Sequence, residues 1–304
     1  MARRAPNLTV GSPPLRITPL NALTVDVEEH FQVSAFEGTV RREEWEVLPS
    51  RVVANTSRLL DLFDETRVKA TFFILGWVAE RNRELVHSIA ARGHEVGCHG
   101  YSHKLVYTQR PEEFREETVR SKAILEDITG QQVRGYRAAS FSIGRANLWA
   151  LDVLAETGFG YDSSLFPVVH DRYGIPGAPR EARVMRTPCG GRLVEVPPST
   201  IRVAGVVVPF GGGGYLRLFP AGVTRWAIAR LNTRERMSAV VYVHPWETDP
   251  EQPRVPAPLW SRFRHYVGLR TTLPKLRDLV SRFRFGTMTA LIESIAALPE
   301  DTPE

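Results

Sequence analysis

Short runs of β-favouring residues alternate with stretches of helical periodicity along this chain. Leu23–Val27 (LTVDV) predicts a strand, and Val52–Glu65 places Leu59, Leu60, Leu62 and Phe63 at helical spacing. Lys69–Leu75 (KATFFIL) predicts a buried strand, Arg81–Arg92 a helix stopped by Gly93, and Glu95–Cys98 a short strand. Pro111 opens a long amphipathic helix that runs to Thr129 and stops at Gly130. Val133–Ala138 and Phe159–Asp162 predict strands around an Asn147–Thr157 helix, and Ala239–Val243 (AVVYV) is the last clear strand. Val168–Arg192 has Gly and Pro but no periodicity, and reads as a long loop. This alternation predicts an α/β fold with a parallel sheet and crossover helices, and with this many units a barrel leads.

Titratable residues collect where the strands end. LTVDV runs into Asp26, Glu28, Glu29 and His30; EVGC into His99 and His103; VRGYR brings Arg137, FGYD brings Asp162, and VVYV runs into His244. Polar residues at strand ends facing water explain one or two such cases. Five ends carrying Asp, Glu, His and Arg favour a site at the C-terminal edge of a barrel.

Composition narrows the class. A hydrophobic content of 43% excludes global disorder, and no run of about 18 residues is apolar and uncharged. Two cysteines outside any CxxC pair give no disulfide framework. The net charge of +5 is interleaved with carboxylates, as in Arg41–Glu46 and Glu112–Glu117, so no one-signed stripe for nucleic acid is present. Residues 1–20 predict a disordered leader: Arg3 and Arg4 are followed by Pro13 and Pro14 rather than an apolar run. With no secretion signal, the expected location is cytoplasmic, with membrane association through a partner left open.

His99-Gly-Tyr-Ser-His103 is an i, i+4 pair that a helical turn would aim to one side, toward one metal. Asp26 and Glu28 point the same way along a strand, so one carboxylate can ligate while the other faces the reaction. Two His and one carboxylate with open positions describe a catalytic zinc-type centre. A free carboxylate can take a proton from water, and an imidazole opposite can protonate a leaving amine. His244 suits the second task if the barrel closes. Asp162 could orient it, and Arg137 could hold the base ionised.

TVDVEEHF (24–31), HGYSH (99–103), RGYRAASFSI (134–143), YDSSLFP (161–167) and VYVHPWE (241–247) occur in this order. Together they resemble the NodB-homology polysaccharide deacetylases of carbohydrate esterase family four, over about residues 20–290. DVExxF, RAxSFSI and VPFGGGGYLRLFP resemble the subgroup of exosortase-associated exopolysaccharide loci. The resemblance implies one distorted (β/α)7 barrel over 21–298, with a subgroup extension at about 245–290. It implies a divalent metal, zinc first, and hydrolysis of N-acetyl groups on amino sugars of a polysaccharide or oligosaccharide. A small or lipid-linked amino sugar as substrate, or a non-catalytic glycan-binding barrel, are the alternatives. Carried over by position, Asp26 matches the base, His99 and His103 the metal histidines, Arg137 the arginine on the base, His244 the general acid and Asp162 its supporting aspartate.

The chain departs from the commonest pattern. Val27 stands where a second aspartate usually binds metal, which leaves Glu28 as the expected ligand and Glu29 in reserve. Ala139 replaces a usual proline, and His30 replaces an aromatic residue and is expected behind the ligands rather than among them. Cys98 reads as a buried strand residue, Phe210–Tyr215 as a flexible glycine loop, and Trp246 equally as a sugar platform or a core aromatic.

Overall fold

The computed structural model describes residues 19–170 and 172–301. The expected leader therefore lies outside the described residues for all but its last two positions. In chain order the elements are β1 (Asn21–Val27), α1 (Val52–Thr66), β2 (Thr71–Ile74), α2 (Gly76–Arg81), α3 (Arg83–Ala91), β3 (Glu95–Cys98), α4 (Pro111–Thr129), β4 (Gly135–Tyr136), α5 (Trp149–Glu156) and β5 (Tyr161–Asp162). Then come β6 (Arg183–Arg186), β7 (Arg192–Glu195), the hairpin β8 (Thr200–Val203) and β9 (Val206–Pro209), α6 (Gly213–Leu218), α7 (Ala221–Arg230) and β10 (Val240–Val243). The chain closes with α8 (Leu259–Tyr266), α9 (Leu269–Arg282), β11 (Phe285–Gly286) and α10 (Met288–Ser294).

The strands β10–β1–β2–β3–β4–β5–β7 are all parallel and curl into a barrel, as the sequence pattern predicts. Between β7 and β10 there is a seam rather than a ladder. Ser199 N donates to Val240 O, Val240 N to Ser199 Oγ, and Tyr242 N to Gly211 O at 2.8 Å. Gly212 is required there, because a Cβ would come within 2.2 Å of the Tyr242 carbonyl. The glycine run is thus a close-approach device that ends in α6, not a free loop.

Strand alternation sorts the side chains. On β1, Leu23, Val25 and Val27 face the helices, while Ala22, Thr24 and Asp26 face the lumen, so every residue of the strand is buried. The lumen is filled at its N-terminal end by Ala22, Phe73, Tyr161, Val240, Met288 and Leu291, with α10 as the plug. Above this layer the lumen turns polar. Gly97 and Gly135 make room for the rings of Phe73 and Tyr161, which a Cβ would strike.

Three expectations need correction. The predicted 81–92 helix is Arg83–Ala91; Arg81 ends the preceding α2, and the break between them falls at Asn82. The expected loop at 168–192 contains β6, an edge strand antiparallel to β7 that is only partly buried and so lacks an apolar pattern. The pair His99/His103 follows β3 through a bend, with Gly100 and His103 in the left-handed region, rather than on a helical turn. Among the described residues no helix is long and apolar enough to cross a membrane.

Candidate active site

The C-terminal ends of β1, β3, β4 and β10 converge on a cavity of about 450 Å³ lined by Asp26, Glu28, His99, His103, His244 and Trp246, among others. Ligand atoms of Glu28, His99 and His103 lie within 4.8 Å of one another, and all three residues are buried. His103 Nε2 is 2.8 Å from Glu28 Oε2. His99 Nδ1 lies 2.7 Å from the Arg137 carbonyl and donates to it, which leaves Nε2 as the acceptor toward the cavity. Burial lowers the His99 imidazole to about 4, against which Asp26 and Glu28 pull, so its lone pair is available at neutral pH. Glu28 is also buried, yet His103 and His244 hold its carboxyl well below the usual range. Its buried Oε2 has no partner but His103 Nε2, itself a ligand-type atom. Those donors fit a divalent cation of the zinc type.

Glu29, the reserve ligand, is used elsewhere. Its carboxylate accepts from Ser50 Oγ and from the backbone N–H groups of Arg51 and Val52, at the N-terminus of α1. His30 is buried beside Glu29 and is absent from the ligand cluster.

Asp26 is bound to Arg137, whose NH1 donates to Asp26 Oδ1 and to Thr24 Oγ1, each at 2.7 Å. Arg137 is fully buried, its other terminal nitrogen donates to Ser163 Oγ at 3.0 Å, and its guanidinium sits 4.3 Å over Phe73. Asp26 Oδ2 remains toward the cavity, 3.9 Å from His244 Nε2.

Asp162 does not support His244. In the parallel register Asp162 pairs with Tyr136, on the helix-facing side, whereas its neighbour Tyr161 takes the lumen. Its carboxylate accepts from Ser164 and lies by Glu195; burial raises Asp162 to about 6 and Glu195 well above its ordinary value. The acid on His244 is Glu247, whose Oε1 is 3.2 Å from Nδ1. Glu247 is fully buried and accepts from Arg217 Nε at 3.3 Å. Burial opposes the protonated imidazole, but Glu28, Glu247 and Asp26 outweigh it and raise His244 to about 9.

Sequence reasoning missed Glu247 and Arg217. The signal was present: Glu247 lies three residues past His244, within reach once a 3-10 turn begins at Pro245. Trp246 is a structural aromatic. It is buried, donates to Glu28 Oε1 at 3.0 Å and stacks on His265 at 4.2 Å. Cys98 faces the outer core, and burial pushes its thiol up to about 12, which excludes a thiolate nucleophile. Three of the six non-glycine residues with positive φ among the described residues, His103, Ser140 and Phe141, line this cavity.

Residues 45–161 match the family model "Polysaccharide deacetylase", and residues 163–293 match a domain of unknown function. The boundary falls at β5, inside one continuous sheet. A peptidoglycan deacetylase of Helicobacter pylori is 33% identical over 108 residues, 36% of this chain and 36% of its own. A peptidoglycan-N-acetylglucosamine deacetylase of Bacillus cereus is 37% identical over 75 residues, 25% of this chain and 27% of its own. A chitooligosaccharide deacetylase of Bradyrhizobium is 30% identical over 100 residues, 33% of this chain and 43% of its own. The matches span between about a quarter and under half of these relatives. A solved Mycobacterium smegmatis structure, assigned as a polysaccharide deacetylase, superposes with a TM-score of 0.60 at 22% identity over 97% of both chains. A peptidoglycan N-acetylglucosamine deacetylase structure superposes with a TM-score of 0.51 at 18% identity, covering 92% of this chain and 91% of its own. The fold is therefore the NodB-type barrel of these deacetylase structures.

Proposed function

We propose that this chain is a metal-dependent N-deacetylase acting on N-acetylated amino sugars of a polysaccharide, of the exopolysaccharide class. The carrying observation is the meeting of Glu28, His99 and His103 with the Asp26–Arg137 pair and His244 on one cavity wall. The matched deacetylase region, and relatives named as deacetylases of peptidoglycan and chitooligosaccharide, support the same reaction class. The exopolysaccharide assignment rests on the subgroup motifs alone.

Glu28, His99 and His103 would hold the cation, zinc first by donor set. When bound, the cation polarises the acetyl carbonyl and makes water a better acid. Asp26, held in place by Arg137, takes a proton from the attacking water through Oδ2. His244 Nε2 lies 3.9 Å from that atom and gives a proton to the departing amine nitrogen. Glu247 holds the Nδ1 proton and with it the tautomer and ring orientation. Water adds to the amide carbonyl, the C–N bond breaks, and acetate and a free amino sugar leave.

The test is metal content measured together with acetate release from N-acetylglucosamine oligomers. The expected result is about one divalent ion per chain and acetate release that a chelator abolishes. Purified protein without metal affinity would overturn the assignment of Glu28, His99 and His103. Metal with no release from any N-acetylated glycan would favour a binding barrel.

A further inference from the structure

We propose that α8 docks the mouth of this cavity onto an anionic lipid surface. Leu259, Trp260 and Phe263 are 81%, 62% and 48% exposed, unusual for three large apolar side chains on one two-turn helix. At 100° per residue they fall in one outward sector about 100° wide, with Arg262 on one flank and Arg264 on the other. His265 lies opposite and is buried. The apolar sector is therefore unpartnered by design of the sequence, not by fraying of the helix.

The opposite side of α8 is fixed to the site. His265 stacks on Trp246 at 4.2 Å and packs tilted against Phe36 at 4.6 Å, and its Nε2 meets Gln252 Oε1 at 2.8 Å. Trp246 in turn donates to Glu28. The exposed rings of Trp260 and Phe263 stack at 5.4 Å, and with Leu218, also half exposed, they line the cavity rim. Whatever surface meets α8 is thus held at the cavity entrance.

Charge selects the occupant. Residues 252–277 contain Arg254, Arg262, Arg264, Arg270, Lys275 and Arg277, and no Asp or Glu. Arg254, Arg262, Arg264 and Arg270 are exposed, and Arg264 lies 5.4 Å over the Trp260 ring. An apolar ridge of Leu, Trp and Phe between arginines is the arrangement of a helix lying in a headgroup layer, with the rings at the acyl boundary and the guanidinium groups on lipid phosphates. A platform for sugar stacking would keep its apolar groups inside the cavity, whereas Leu259, the most exposed of the three, does not line it.

The experiment is co-sedimentation of the full chain with phosphatidylcholine vesicles, with and without about 30% phosphatidylglycerol. The expected result is binding to the anionic vesicles that weakens as salt rises. Leu259→Asp and the double variant W260S/F263S should each reduce the partition coefficient at least about tenfold. Leu259→Asp changes an exposed residue outside the cavity, and an unchanged thermal melt shows that it folds. Failure of the wild-type chain to sediment with anionic vesicles would overturn the proposal, as would wild-type partitioning by both variants. Binding to soluble dextran sulfate that Leu259→Asp leaves intact, and that displaces the chain from vesicles, would overturn it too by assigning the face to an acidic polymer. Vesicle binding reads no turnover, so this outcome and that of the acetate assay are separable.

Discussion

The two walls of the cavity are built differently. The wall from the first half of the chain carries Asp26, Glu28, His99, His103 and Arg137 on the ends of β1, β3 and β4, all buried. The wall from the second half carries Tyr215, Leu218, Trp260 and Phe263 on or beside short helices, with several large apolar groups exposed. Parallel pairing fixes the register of the first wall, and through it the positions of groups that must meet within a few tenths of an ångström. The second wall is set by packing between irregular segments, which suits recognition of a surface or chain. His244 and Glu247 belong to the second half in sequence but to the first wall in construction, since β10 pairs with β1.

If the first wall holds the chemistry, the largest effects come from its residues. Asp26→Asn keeps the size of the side chain and an acceptor for Arg137 but removes the base. Turnover should fall on the order of 10³-fold, with metal content unchanged by elemental analysis. His103→Ala should lose both metal and turnover. Near wild-type acetate release from Asp26→Asn would break the division of labour between Asp26 and Glu28.

Next in size is Arg137→Met. It leaves the Asp26 carboxylate buried without its partner and takes one donor each from Thr24 Oγ1 and Ser163 Oγ, whose own bonds to the Val241 and Val196 carbonyls remain. Removing one member of a buried pair costs about 3–5 kcal/mol, read as a shift in the denaturant midpoint. A loss below about 1 kcal/mol would mean that water reaches Asp26 and that the first wall is less rigid than its burial implies.

The contrast between the walls also tracks what the sequence disclosed. β1, β2, β3 and α4 were readable because the strands are short β-favouring runs set between helical patterns and the helix has Pro111 and Gly130 as punctuation. The clustering of Asp26, Glu28, His99, His103, Arg137 and His244 was readable because each follows a strand. Asp162 was misplaced because β5 has only two residues, so nothing in the pattern told which of Tyr161 and Asp162 faces the lumen. Tyr161 takes it, and Gly135 opposite leaves the space that makes this possible. β6 and the β8–β9 hairpin are partly exposed, and their four-residue strands show no regular apolar–polar alternation, so neither period stands out. Glu29 and Glu28 were indistinguishable by chemistry, and only the fold of 50–52 back onto Glu29 separates them.

A sharper probe is Glu247→Gln, which keeps a hydrogen-bonding group near His244 Nδ1 but removes the charge. Turnover should fall about 30-fold, near 2 kcal/mol, with KM and metal content unchanged. Glu247→Asp should recover part of the loss. If instead the Asp162→Asn change lowered turnover as much as Glu247→Gln, the lumen-facing assignment would be wrong and the two walls would share the acid.

The smallest effect separates burial from chemistry within the first wall. His94 and His99 flank the same short strand, β3, and burial is the largest cause lowering each imidazole to about 4. His99 faces the cavity, whereas His94 lies among Phe63 and Phe72, and its Nδ1 accepts from Ala70 N. His94 therefore has no ligand or substrate to meet, and its shift shows only in stability. Unfolded, it binds a proton below its ordinary value of 6.5; folded, it does so only below about 4. Between these values the unfolded state holds more protons, so stability falls as pH drops through 6.5 and levels off below 4. From about pH 7.5 to about pH 5.5 this residue should contribute roughly 1 kcal/mol of that fall. His94→Asn keeps an acceptor for Ala70 N and removes the titration. Its absolute stability will be lower because the ring leaves a gap, but its stability should depend less on pH than wild type by that amount over the window. Equal pH slopes from denaturant titrations of the two proteins would show that His94 reaches water, and the packing behind the first wall would then be looser than its aromatic contacts indicate.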